Sequence, residues 1–221
     1  MTTLDAREAY RLWAPTYAAE TAISVLDEEL ARALLPPLEG KRLLDAGCGT
    51  GRRIAGIERA VGVDASIDML NAGSACAVAA ADVTALPFPC AGFDMVWCRL
   101  VLGHLSNPEP AYREFARVLR PGGHLFVTDF HADAVAAGHK RSFRDASGAL
   151  HEVEHHVHDA AAHIALAERA GFTFLARQDG TIAPSVKPFY ARAGRLDAYE
   201  RDKGLAVVAA FLFCRAGPCA S

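Results

Sequence analysis

Leu4, Ala9 and Leu12, then Ile23, Leu26, Leu30 and Leu34, recur at intervals of three to five residues. That is the spacing of an apolar helix face, so residues 1–40 are predicted helical, ending at Pro36-Pro37. From residue 41 the pattern changes to short unbroken apolar runs at 42–46, 61–64, 77–83, 93–98 and 125–129, each bounded by Gly, Asp or Pro. Continuous hydrophobicity over so few residues marks strands covered on both faces, as in a parallel sheet. Between the last two runs, residues 108–119 read as a helix opened by Asn107 and Pro108 and stopped by Pro121-Gly122-Gly123. The alternation predicts βαβ units and an open, doubly wound α/β sheet.

Beyond residue 130 the rhythm breaks. Polar-rich stretches 141–144 and 149–157 flank Asp145-Ala146-Ser147-Gly148, which is turn chemistry, and predict a hairpin inserted after the fifth strand. Asp159 caps a helix running to Ala170 and stopped by Gly171, and strands at 172–177 and 205–214 enclose a helical stretch near 190–202. With no repeat or low-complexity linker, one domain is expected. Its parts are a helical flap (1–40), a core (41–130), the hairpin insertion (131–158) and a C-terminal portion (159–221) that completes the sheet and supplies a lid.

The chain has 221 residues, 52% hydrophobic and 22% charged, and 23 basic against 26 acidic residues leave a net charge of −3. A chain of this size can bury one sizeable core. The absence of a basic excess argues against a dedicated nucleic-acid or membrane-surface protein. Six cysteines at 48, 76, 90, 98, 214 and 219 include no CxxC pair. With no apolar leader in the first residues, they suggest reduced thiols and a cytoplasmic setting.

The chemistry concentrates at Leu43-Leu44-Asp45-Ala46-Gly47-Cys48-Gly49-Thr50-Gly51, where the first core strand ends and a helix is expected to open. Doubly wound sheets bind ligands at the carboxyl ends of their strands. A dinucleotide fingerprint counted from Gly47 requires glycine at position 52, which is Arg52, and the Gly-Lys-Ser/Thr ending of a P-loop is missing. Pyrophosphate and triphosphate ligands are therefore disfavoured.

The remaining pattern, acid-x-Gly-x-Gly-x-Gly, resembles the first motif of class I S-adenosylmethionine-dependent methyltransferases. Asp64 in Val61-Gly62-Val63-Asp64 and Asp82 in Ala80-Ala81-Asp82-Val83 fall where that family grips ribose and adenine. Residues 93–98 with Leu102-Gly103-His104-Leu105, and Leu119-Arg120-Pro121-Gly122-Gly123 before 125–128, resemble the ubiquinone/menaquinone-biosynthesis-like branch. The matching stretch is about 41–130. The resemblance implies a Rossmann-like, seven-stranded, mostly parallel sheet and S-adenosylmethionine as cofactor, acting on a small organic acceptor without nucleic acid or membrane, as a monomer or homodimer. It assigns to the cofactor Tyr17, Asp45, Gly47, Cys48, Gly49, Gly51, Asp64, Ala65, Met69, Asp82, Val83 and Cys98. Tyr10, Trp13 and Tyr17 belong to a flap that either closes over the cofactor or simply packs.

Methyl transfer to oxygen, nitrogen or carbon asks the protein for orientation, exclusion of water and removal of a proton. Histidine suits the last role near neutral pH, and His104 and His131 follow the fourth and fifth strands, making them the candidate bases. An oxygen of a phenol, quinol or carboxylate is the favoured acceptor, with nitrogen or carbon next. His155, His156 and His158 suggest a metal only until strand alternation is applied, which puts His155 on the opposite face from the other two; no metal is expected. The hairpin is expected to cover the acceptor, with His151 or His155 facing inward and Glu152 and Glu154 paired to Arg141 or Arg144. A nicotinamide-dependent oxidoreductase and a silent cofactor-binding subunit are the rival readings.

Overall fold

The computed structural model describes residues 2–74 and 77–217. A short strand β1 (Thr2–Leu4) leads into α1 (Ala6–Trp13), capped by Asp5 accepting from the Glu8 amide, and α2 (Ala22–Leu34), capped reciprocally by Thr21 and Ser24. The core follows as β2 (Leu43–Ala46), β3 (Ala60–Asp64), α3 (Ile67–Ala72), β4 (Val78–Ala80), β5 (Phe93–Arg99), α4 (Glu109–Val118) and β6 (Leu119–Phe130). After α5 (Ala132–Ala136), β7 (Ser142–Arg144) and β8 (Leu150–Val153) form an antiparallel hairpin. The chain closes with α6 (Ala160–Arg169), β9 (Phe172–Thr181), α7 (Lys187–Arg192), α8 (Leu196–Asp202) and β10 (Ala206–Arg215).

The central sheet has seven strands in the order β4-β3-β2-β5-β6-β10-β9, all parallel except β10, which runs antiparallel to both neighbours. One face is covered by α4 and α6, through Ala111, Tyr112, Phe115, Val118, Leu166 and Ala167. The other is covered by α2 and by residues from 182–199, through Leu26, Leu30, Ile182, Val186 and Tyr199. The first strand of the core and its parallel neighbours thus present their carboxyl ends together, with β2 flanked by β3 and β5. Among the described residues no helix is long and apolar enough to cross a membrane. Cys48, Cys90, Cys98 and Cys214 are free thiols; Cys76 and Cys219 lie outside the described residues.

Several expectations are corrected. The first residues are not wholly helical, because β1 pairs in parallel with β8 and forms a second, three-stranded sheet β1-β8-β7. No regular helix follows β2. Residues 51–57 instead make successive three-residue turns, Gly51 N to Cys48 O, Ile54 N to Gly51 O and Ile57 N to Ile54 O. Gly51, Gly56 and Arg59 adopt left-handed backbone, which a continuous helix does not accommodate. Pro121-Gly122-Gly123 lie within the twelve-residue strand β6 rather than in a loop, where the β5 pairing slips register between Phe93 and Met95. The strand expected at 77–83 is only Val78–Ala80, and β8 stops at Val153, so the face alternation applied to residues 155–158 has no strand to act on.

Candidate functional site

At the end of β2 the amides of Gly47 and Cys48 both donate to the Val63 carbonyl, at 2.8 and 2.9 Å, which turns the chain sharply over the end of β3. Gly47 has φ +82°, and a Cβ there would collide with the Val101 side chain. Gly49 has φ +59°, and a Cβ would stand 3.1 Å from Met69 Cε and 3.6 Å from Tyr17 Cε1. Both glycines keep side-chain atoms out of a cradle of bare backbone. Gly51 closes the turn by donating to the Cys48 carbonyl at 3.0 Å.

Asp64, at the tip of β3, accepts from the Gly49 and Ser66 amides, each at 2.8 Å, so its carboxylate is fixed at the mouth of the glycine turn. Each oxygen keeps further acceptor capacity. Asp82 follows β4, and its Oδ1 accepts from the Thr84 amide (2.8 Å) and hydroxyl (2.7 Å). These residues line one cavity of about 440 Å³ with Tyr10, Tyr17, Ala65, Met69, Val83, Val101 and His104. Leu100, just past β5, also lines it and holds φ +61°, a conformation an L residue adopts only when its surroundings impose it.

Beneath the glycine turn lies Asp45, fully buried, with no hydrogen-bond partner on either oxygen among the described residues. Burial pushes its carboxyl up to about 6, against the pull of Arg53 and Arg99. Burial likewise raises Asp64, countered by the amides of Ser66 and Gly49. A carboxylate buried without a partner is costly to keep ionised.

Above the cavity stand Tyr10 and Tyr17. The Tyr10 hydroxyl lies 2.9 Å from His104 Nε2, and Arg141 donates to that hydroxyl at 3.2 Å and to the Leu100 carbonyl at 3.0 Å. Burial, reinforced by Arg141 and His155, lowers His104 to about 3, so the imidazole is neutral at physiological pH. Trp13 stacks on Phe143 of β7 with centroids 4.8 Å apart. A second cavity of about 290 Å³ abuts the first, with Tyr17 and Leu100 lining both.

The structure brings Tyr17, Gly47, Gly49, Asp64, Ala65, Met69, Asp82, Val83 and His104 to a single cavity wall, while Asp45 and Gly51 support it from below. Besides Asp45 and Gly51, three further expected residues are not on that wall. Cys48 turns inward against Gly62, and Cys98 is sealed inside β5. His131 caps α5, its Nδ1 accepting from the Asp133 amide at 3.0 Å and its Nε2 lying 3.0 Å from Arg177, so it is not positioned as a base there. In the hairpin, His151 pairs with Asp145 at 2.8 Å, and His155 is buried 3.8 Å from Asp129 under Gly103, so neither faces the cavity. Glu152 pairs with Lys140 at 2.8 Å, not with Arg141 or Arg144. Leu100, Val101 and Arg141 were not singled out as site residues in the sequence. The first two are ordinary apolar residues in any pattern, and only the left-handed backbone of Leu100 marks it.

The sequence model of a methyltransferase domain family matches residues 44–127. The 27-O-demethylrifamycin SV methyltransferase of Amycolatopsis mediterranei is 36% identical over 126 residues, covering 50% of this chain and 46% of that protein. The ubiquinone biosynthesis O-methyltransferase of Ralstonia nicotianae is 33% identical over 150 residues, 62% of each chain. The chain thus spans about half the length of the curated relatives it matches. In three dimensions an S-adenosylmethionine-dependent methyltransferase from Mesorhizobium loti superimposes with a TM-score of 0.65 at 23% identity, over 86% of this chain and 98% of that one.

Proposed function

Residues 44–127 belong to the methyltransferase domain family, and from that premise we propose that this chain binds S-adenosylmethionine and transfers its methyl group to a small organic acceptor in the cytoplasm. The observation that carries the reading is the convergence of Gly47, Gly49, Asp64 and Asp82, from the ends of three adjacent strands, on one cavity. An oxygen acceptor is favoured because a relative matched over 62% of the chain is an O-methyltransferase.

The residues present fit such a cofactor. Asp64 would accept from the ribose hydroxyls, Asp82 would take the adenine amino group, and the Val83 amide would meet the ring. Met69 and Ala65 would flank the base, and the bare backbone of Gly47 and Gly49 would admit the amino-acid portion. Buried Asp45 would offset the ammonium charge. The bound sulfonium supplies an activated methyl group, so the chemistry asked of the protein is orientation and dryness. Tyr10 and Tyr17 close the cavity to water. His104, neutral and tied to Tyr10, holds that hydroxyl in place rather than taking a proton from the acceptor.

Isothermal titration with S-adenosylhomocysteine is the test, with NAD as the competing ligand. Binding of the first and not the second is expected, and Asp64→Ala should weaken it at least tenfold, the equivalent of about 1.4 kcal/mol. Heat from NAD alone would reverse the reading in favour of an oxidoreductase.

A further inference from the structure

The second cavity carries a one-sided charge pattern. Four of its lining residues are cationic, Arg52, Arg53, Lys140 and Arg141, and no Asp or Glu lines it. Two of those charges are already neutralised, Arg53 by Asp27 at 3.0 Å and Lys140 by Glu152 at 2.8 Å. The other two are not. Among the described residues Arg52 has no carboxylate partner and only reaches the Ala18 carbonyl at 3.4 Å, lying over the Tyr17 ring at 6.0 Å. Arg141 is half-buried, donates to the Leu100 carbonyl and the Tyr10 hydroxyl, and likewise has no ion-pair partner.

Four aromatic residues, Trp13, Tyr17, Phe130 and Tyr190, also line the cavity, among smaller polar and aliphatic ones. A guanidinium presents five donors in a fixed fork, so an arginine held by neutral groups keeps donors free for an oxyanion. Because Tyr17 and Leu100 line both cavities, an occupant here lies beside the cofactor cleft rather than on a remote surface.

We propose that the methyl acceptor carries an anionic group, a carboxylate or a phosphate monoester, which Arg52 and Arg141 bind in this cavity while its flat apolar part lies against Trp13 and Phe130. The proposal rests on the methyltransferase reading and narrows its acceptor class. Arginine recognition of this kind adds a charge-assisted bond at each guanidinium and discriminates against neutral molecules of the same shape.

The test uses benzoate, phenyl phosphate and neutral benzamide as probes, titrated into the protein with and without saturating S-adenosylhomocysteine. Binding is followed by tryptophan fluorescence, to which Trp13 contributes, and by ligand-observed NMR. At least one anion should bind tenfold or more tightly than benzamide, and the order of benzoate and phenyl phosphate identifies the group. Arg52→Gln, on an exposed turn, should erase most of that preference and Arg52→Lys should restore part of it; Arg141→Gln should act in the same direction. Equal binding of benzamide and both anions, or a preference indifferent to both arginine substitutions, overturns the proposal. Anions that bind a protein indifferent to S-adenosylhomocysteine would instead defeat the methyltransferase reading and leave the anion site standing.

Discussion

Asp45 is the residue at which stability and binding are set against each other. Its carboxyl is raised to about 6 by burial, so between about pH 4 and 6 the folded protein holds a proton that the unfolded chain has released. Stability therefore falls as pH rises through that window and stays lower above it. Asp45→Asn should make the ligand-free protein more stable at pH 8 by about 2 kcal/mol, by denaturant titration, and should weaken S-adenosylhomocysteine binding in the same preparation. A variant that loses both stability and binding would count against an unpaired carboxylate awaiting a cation. His104 acts in the opposite sense along the pH axis. Its folded value is depressed to about 3, so the unfolded chain takes up a proton as pH falls below about 6.5 while the folded one does not. His104→Asn should be less acid-sensitive between pH 6.5 and 4, measured as a flatter dependence of melting temperature on pH. The glycines and Asp64 were legible as a motif, because their spacing is a pattern. The histidine roles were not, because proximity in sequence to a strand end places both His104 and His131 near the cleft, and only side-chain direction separates them.

Among the elements, α2 shows what periodicity reveals and conceals. Leu26 and Leu30 form the expected apolar stripe, yet Asp27 beside them is equally buried. Its Oδ2 accepts from Arg53 at 3.0 Å and lies 2.8 Å from Arg99 Nη2, while Oδ1 accepts from the Thr128 hydroxyl at 2.6 Å. The helix is thereby bolted to β5 and β6 and to the turn after β2. Burial alone would raise the Asp27 carboxyl, but the two arginines and Thr128 hold it below the usual range. Asp27→Ala removes the buried partner that Arg53 and Arg99 share, leaving Arg99 only the partly exposed Glu28 at 2.9 Å, and should cost about 3 kcal/mol of unfolding free energy. Because the folded value is depressed, the stabilisation is present above about pH 4 and is lost as pH falls further. The wild type should therefore lose stability there by a component absent from Asp27→Asn, as urea titrations from pH 3 to 6 would measure. A sequence reading puts an acid in a helix on the solvent side, since nothing local announces partners more than twenty residues distant. The long β6 was misjudged for a related reason: Pro121, Gly122 and Gly123 break most strands, but here a register slip against β5 absorbs them.

At the scale of the whole molecule, the parallel core of the sheet was legible because buried parallel strands write themselves as unbroken apolar runs. The roof was not. Thr2–Leu4 is too short and too polar to announce a strand, and its partner lies about 150 residues away, where it pairs Thr2 with His151 and Leu4 with Val153. Ala9, Phe143 and Val153 then make a small core of their own, with Leu4, Leu12 and Trp13 packed against it, and the Thr16 hydroxyl donates to the Arg144 carbonyl at 3.1 Å. Hydrogen exchange with and without S-adenosylhomocysteine should show residues 6–17 and 142–153 gaining protection together; protection confined to one of the two would show that they respond separately. The parallel pairing of β1 with β8 thus splices the chain's opening residues to an insertion far downstream. Injuries to either side ought to be redundant rather than cumulative: cut the seam from the front or from the back, and the same awning comes loose once.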